Sequence, residues 1–259
     1  MFEQLLQNLA VLAGLMFLLW MVSVAIKDAS IVDPFWGFGF VVLAWQALLS
    51  QSEHPPRALL LVALTTLWGA RLALFLLWRK VGEEEDYRYQ AMRLHHGRRF
   101  PLVSLYTVFG LQCVILWFVA FPVQVGIANA TADPLNFVDG LGFILWGIGL
   151  IFETVGDWQL ARFKSDPANH GKVLDRGLWS LTRHPNYFGD FCVWWGIYLV
   201  SFQAGAWWTI LSPLAMSFLL LKVSGVALME KTIRTRRPDY QRYVEETNAF
   251  FPGPKRKQV

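Results

Sequence analysis

Long apolar runs alternate with short polar ones along the whole chain. Windows of about 20 predominantly apolar residues recur, the length an α-helix needs to cross the hydrocarbon of a bilayer. They fall at roughly 6–26, 31–50, 58–78, 103–126, 138–158, 187–203 and 207–229. The pattern predicts an all-α polytopic membrane protein with about seven transmembrane helices, forming a single integral membrane domain over residues 1–259. The first run has no basic segment before it and no small-residue cleavage site after it, so it reads as a true span. Strands do not alternate with helices, and no Gly-x-Gly-x-x-Gly occurs, which excludes a Rossmann domain.

Composition agrees with the pattern. Hydrophobic residues make up 55% of the chain and charged residues 16%, too few charges for a soluble domain of this size. The net charge of +4 comes from basic loops and does not argue for nucleic acid. Cys113 and Cys192 both lie inside spans and read as packing residues. No metal-ligand spacing occurs, and His95 and His96 read as surface residues. Lys and Arg sort the loops. Arg79, Lys80, Arg88, Arg93, Arg98 and Arg99 lie in 79–102, and Arg162, Lys164, Lys172, Arg176 and Arg183 in 159–186. The 127–137 and 204–206 loops have neither. With seven spans this puts the N-terminus outside and the C-terminus in the cytoplasm.

Ionisable residues inside spans are costly and mark cavities or pathways. Here they are Asp33, Arg71, Asp139, Glu153, Asp157, Asp190, Lys222 and Glu230. Arg71 lies about 20 Å into its span, counting 1.5 Å per residue from the outer face. All but Asp139 fall in the cytoplasmic half, which predicts a polar pocket there. Snorkelling at helix ends accounts equally well for Asp139, Lys222 and Glu230. In Asp33-Pro-Phe-Trp-Gly-Phe-Gly39, Asp33 and Pro34 fit a helix cap and first turn. Gly37 and Gly39 let a neighbour approach closely, and Trp36 then walls an apolar slot.

The stretch Asp175–Asp190 carries the densest chemistry. Arg183 and His184 precede Pro185, which opens the next apolar run. A basic pair at a helix mouth, beside free N–H groups and the positive end of the dipole, suits phosphate. Asn186 and Asp190 share one helix face and can offer an amide and a carboxylate to a ribose. An ordinary helix start with cytoplasmic charges is the competing reading. The 82–99 loop reads as a solvated helix, or as a lid in which Tyr87 stacks on a base and Arg88 meets phosphate. In the tail, Arg234, Arg236 and Arg237 with Tyr240 and Tyr243 suit a 2′-phosphate and a base, or anionic lipid heads.

Thr182-Arg-His-Pro-Asn-Tyr-Phe-Gly-Asp190 resembles the signature of NADPH-using membrane sterol reductases. Together with Ser30–Gly37, Glu85–Arg93, Ser224-Gly-Val with Glu230, and Tyr240 through Pro252, it resembles the bacterial branch of the steroid 5-alpha-reductase family. The resemblance implies an oxidoreductase of lipid metabolism, a 3-oxo-5-alpha-steroid 4-dehydrogenase that reduces the 4,5 double bond of a 3-oxo-4-ene steroid or similar lipid. It implies an enzyme of the bacterial inner membrane, with its site facing the cytoplasm, its substrate entering from the bilayer and no protein partner. NADPH would meet Arg71, Arg88, Glu153, Asp157, Lys164, Arg183, His184, Asn186, Asp190, Arg234 and Tyr240. Trp36 and Trp68 would line the substrate slot. The family's early span supplies a catalytic acid, matched here by Asp33. Its eukaryotic members place a tyrosine near the position of Trp68, which leaves Tyr87, Tyr187 or a water held by Asp33 as proton donor. A shorter Arg-His-Pro-x-Tyr-x-Gly also occurs in isoprenylcysteine carboxyl methyltransferases. The alternative activity is therefore S-adenosylmethionine-dependent methyl transfer, with Glu230 as a ligand to that cofactor.

Overall fold

A computed structural model describes residues 1–223 and 240–256. Arg234, Glu230, Arg236, Arg237, Ser224 and the end of the seventh expected span lie outside the described residues. The described residues are helical, with no strand among them. Five helical runs are long and apolar enough to cross a membrane: Phe2–Ile26, Ala29–Leu49, Pro56–Lys80, Tyr87–Val119 and Phe137–Ser165. We number the helices α1 (Phe2–Ile26), α2 (Val32–Leu49), α3 (Pro56–Lys80), α4 (Tyr87–His96), α5 (Phe100–Ser104), α6 (Leu111–Val119), α7 (Phe121–Ala128), α8 (Phe137–Ser165), α9 (Pro185–Phe202), α10 (Leu211–Phe218) and α11 (Tyr240–Glu246). Helix α9 spans 18 residues, but Asn186 and Asp190 in its first turns dilute its apolar character.

The chain forms two compact units. One comprises Met1–Asp139 with Val200–Ser212, the other Gly140–Leu199 with Pro213–Val259. The first unit is built on α2 against α3. Gly37 and Gly69 lie at their crossing, where a Cβ on Gly37 would sit 2.2 Å from the Gly69 carbonyl oxygen. Gly39 meets the Leu116 side chain instead. The close approach expected of these glycines is thus made to helices. The fourth expected span, 103–126, is interrupted: α6 ends at Val119, and Pro122 restarts the chain as α7 because it has no N–H to continue the ladder. A π turn over Leu105–Gly110 joins α5 to α6 and shifts the register of the residues that follow.

Asp139 is not a snorkelling surface acid. Its carboxylate accepts from Arg57 Nε at 2.9 Å and Nη2 at 2.8 Å, and from the Asn136 amide N–H at 2.8 Å. Arg57 is 2% exposed and Asp139 1%. A bidentate guanidinium is what allows both charges to be buried there. In the second unit, α8 and α9 cross with glycine against glycine: a Cβ on Gly149 would lie 2.5 Å from the Gly189 carbonyl oxygen.

Candidate functional site

In the first unit, a short capped turn positions the acid at the start of α2. Asp28 accepts from the Ser30 amide at 2.9 Å and from its hydroxyl, closing a 3-10 turn over Ala29–Ile31. Helical backbone therefore begins before Asp33, and Asp33 is not the cap that its place before Pro34 suggested. Lys80 Nζ lies 2.9 Å from Asp28. Burial opposes ionisation of Asp28, but the Ser30 and Lys80 hydrogen bonds outweigh it and hold the carboxyl below its usual range. Asp86 behaves alike: burial raises it, while the Arg88 side chain and amide together pull it down. The Ala29 amide donates to Glu85 Oε1 at 2.8 Å and the Asp86 amide to Ser30 Oγ at 3.2 Å. These bonds lay the start of α4 across the start of α2.

The Asp33 carboxylate is thereby free of backbone duties and has two side-chain donors. Tyr89 Oη donates to Oδ1 at 2.9 Å, and Arg88 Nη2 to Oδ2 at 2.9 Å. Arg88 also holds Asp86 through Nε at 2.8 Å. Beyond Tyr89, Gln112 Nε2 donates to the phenol oxygen at 3.2 Å, and Trp36 Nε1 donates to Gln112 Oε1 at 2.6 Å. An indole N–H can only donate, so Gln112 turns its oxygen to Trp36 and its nitrogen to Tyr89. The phenol accepts from Gln112 and sends its own proton to Asp33. Trp36, Gln112 and Tyr89 thus form a directed chain that ends on the Asp33 carboxylate, which the exposed Arg88 guanidinium meets from the other side. Its direction is set by the Trp36 indole, which can only donate.

Two of these residues were not singled out in the sequence. Tyr89 is 6% exposed, whereas Tyr87, the expected candidate, is 67% exposed at the first position of α4. The signal for Tyr89 was helical spacing. Tyr89 and Arg93 are i,i+4, and Arg93 turns inward to Glu85 at 2.7 Å and over the Phe100 ring at 4.4 Å. Gln112 is an uncharged amide inside an apolar run, so no charge marks it in the sequence. Arg71 is half-buried, with its guanidinium 5.3 Å from the Phe75 ring centroid. Trp68 is fully buried, packed on Phe40 with centroids 5.6 Å apart.

The second unit gathers the motif of α9. Asp157 is buried and accepts from Asn186 Nδ2 at 3.2 Å. Glu153 is buried one turn earlier on α8, and Lys164 is exposed in its last turn. His184 is buried and stacks on half-buried Tyr187 with centroids 5.6 Å apart. Asp190 is half-buried in the second turn of α9. Arg183 is 8% exposed. Its Nη1 donates to the carbonyls of Val244 at 2.8 Å and Thr247 at 3.2 Å, and its amide to Asn248 O at 2.9 Å. Arg183 therefore caps the C-terminal end of α11, where carbonyls lack helical partners. Thr182 Oγ1 adds a bond to Phe250 O at 2.8 Å, and Tyr243 Oη one to Trp179 O. Tyr240 is buried beside Tyr243, with centroids 5.8 Å apart. Among the described residues no group of His, Cys, Asp and Glu is arranged to hold a metal ion.

Helices of membrane-spanning length, each unit carrying its own polar cluster, define an integral membrane protein with buried polar chemistry. The chain belongs to the DUF1295 family, described as proteins of unknown function, whose family model matches residues 19–247. That family is related to steroid 5-alpha-reductase-like membrane proteins. An uncharacterized protein of Schizosaccharomyces pombe is 25% identical over 262 residues, covering 90% of this chain and 75% of that one. A protein of Ustilaginoidea virens described as a probable O-methyltransferase is 45% identical over 53 residues, 20% of this chain and 18% of that one. No solved structure matches the chain.

Proposed function

We propose that the protein is an NADPH-dependent reductase of a carbon–carbon double bond conjugated to a carbonyl in a lipid, such as the 4,5 bond of a 3-oxo-4-ene steroid. The observation that carries this reading is the Tyr89–Asp33 hydrogen bond, half-buried at the head of a span and oriented by Gln112 and Trp36. A phenol held in this way is a donor that can turn from the carboxylate to a ketone oxygen and stabilise a developing enolate. Asp33 keeps the phenol in place, and Arg88 balances the charge of Asp33. NADPH, when bound, supplies the hydride. The hydride adds to the β-carbon, and a proton, delivered along Asp33 and Tyr89 or by a water they hold, adds to the α-carbon. One double bond would be reduced, its two electrons coming from the hydride that NADPH would supply.

The residues of the second unit fit parts of that cofactor unevenly. Asp157 with Asn186 offers an acceptor beside an amide, suited to ribose hydroxyls. Lys164 is an exposed cation suited to phosphate. Arg183 fits a phosphate less well, because two carbonyls already hold its Nη1. Buried Tyr240 fits a base less well than its place in the tail suggested. We further propose seven spans, an outer N-terminus, a cytoplasmic C-terminus and a site reached from the cytoplasm of a bacterial inner membrane, supported by the basic 79–102 and 159–186 loops.

A second reading is favoured by one observation, the 53-residue match to the probable O-methyltransferase. In that reading the same α9 mouth receives S-adenosylmethionine. One measurement separates the two. The melting temperature of detergent-purified protein should rise with NADPH and less with NADH, which lacks the 2′-phosphate. A rise with S-adenosylmethionine alone would replace the reductase reading with the methyltransferase.

A further inference from the structure

We infer that the corner between α4 and α5 is a binding site for the phosphodiester headgroup of an anionic glycerophospholipid. Most basic side chains at this end of the first unit have partners. Lys80 pairs with Asp28, Arg88 with Asp33 and Asp86, and Arg93 with Glu85. Arg79 lies over the Phe75 ring. Arg98 and Arg99 differ. Both are exposed, and neither has a carboxylate within ion-pair distance among the described residues.

Their position is built by the fold. α4 stops at Gly97, whose φ of +51° favours glycine, and one 3-10 turn over Gly97–Arg99 leads into α5. Phe100 is buried and anchored under the Arg93 guanidinium. The chain thus enters its apolar span immediately after two adjacent guanidinium groups. Leu94, 86% exposed, and exposed Leu102 flank them in sequence. Helix α1 closes one side. Trp20 Nε1 donates to Pro101 O at 2.8 Å, two residues past Arg99, and exposed Phe17 packs on the Trp20 ring. An indole, two guanidinium groups and exposed leucines on either side of them in sequence match the parts of an anionic phospholipid. The phosphodiester meets the arginines, the indole sits at the interface, and the acyl chains cover the leucines.

The occupant is a lipid and not free phosphate, because the apolar residues contribute nothing to an inorganic ion. Native mass spectrometry of the detergent-purified full chain, titrated with phosphatidylglycerol and with phosphatidylcholine, tests the assignment. Wild type should retain phosphatidylglycerol preferentially. The double variant Arg98→Gln/Arg99→Gln should lose about thirtyfold in that affinity, from about fivefold per arginine near a bilayer surface. Arg98→Lys/Arg99→Lys should retain most of it, and a charge-matched control, Arg242→Gln/Lys255→Gln in the second unit, should retain all. Inorganic phosphate should not compete. Equal affinity in wild type and the glutamine variant, full competition by phosphate, or an equal loss in the control would overturn it. If the glutamine variant fails to fold, the single variants Arg98→Gln and Arg99→Gln carry the same comparison, at about fivefold each.

Discussion

The acid of the proposed reaction and a fully buried ion pair make the residue-scale tests. Asp33 has no capping role here, because the 3-10 turn capped by Asp28 already precedes it. Its partner is Tyr89, so Tyr89 and not Tyr87 is the tyrosine that the proposed reaction would use. Asp33→Asn and Tyr89→Phe should each lower single-turnover NADPH oxidation by about 10²–10³-fold with a 3-oxo-4-ene steroid, the usual cost of one transition-state donor. Thermal stabilisation by NADPH should persist in both, and Tyr87→Phe, altering an exposed side chain, should leave the rate near wild type. A normal rate in Tyr89→Phe would remove the phenol from the mechanism. The Arg57–Asp139 pair predicts the opposite profile. Removing one partner strands a charge in the interior, so Arg57→Ala or Asp139→Leu should cost about 3–5 kcal/mol of stability. Replacing both, Arg57→Met with Asp139→Leu, should cost clearly less. Unfolding of the detergent-solubilised protein in a denaturant series measures all three.

At the scale of elements, helix pairs in this protein are set by glycine contacts and by turns. The Gly37–Gly69 crossing lets the backbones of α2 and α3 touch. Gly37→Ala would drive a methyl into the Gly69 carbonyl and must separate the helices, with the start of α2 and Asp33 moving as well. Expected is a loss of both melting temperature and turnover. Gly14, which has open space around it on α1, is the control, and Gly14→Ala should leave both unchanged. The sequence marked Gly37 as a close-approach site but did not say whether a helix or a ligand came close. Two helices had to be packed before the answer existed. The same holds for α4. Its pattern of both charge signs read as a solvated helix. The bonds from Ala29 and Asp86 to Glu85 and Ser30 turn its Tyr89 face inward.

For the molecule as a whole, the testable matter is how the chain lies in the membrane. Both native cysteines are buried, so single cysteines introduced on the surface report without background. Ser52→Cys, in the loop between α2 and α3, should react with a membrane-impermeant maleimide added to intact cells. Ser165→Cys, at the end of α8, should react only after the membrane is opened. Reaction of both in intact cells, or the reverse order, would overturn the outer N-terminus. The arrangement also bears on the C-terminal segment. Arg183, Thr182 and Tyr243 bind it by its backbone carbonyls and by those of the α9 approach.

Much of this protein follows from the sequence alone. The bilayer allows so few backbone solutions that apolar run length yields the all-helical class. Charge cost in hydrocarbon likewise makes Asp33, Asp157 and the Asp139 site visible as exceptions. What the sequence could not supply is which donor meets which acceptor. Tyr87 and Tyr89 differ by two positions and no composition rule separates them. About 200° of helical rotation does, and only the packed α4 says which of them points inward. Gln112 is uncharged, as is Asn8, which donates to Gln124 at 2.8 Å, so neither leaves a mark in a pattern of charges. Arg183 looked like a phosphate ligand because its motif offers a cation at a helix mouth. The tertiary structure instead commits its Nη1 to the open end of α11, more than sixty residues away in sequence, a partner no local pattern encodes.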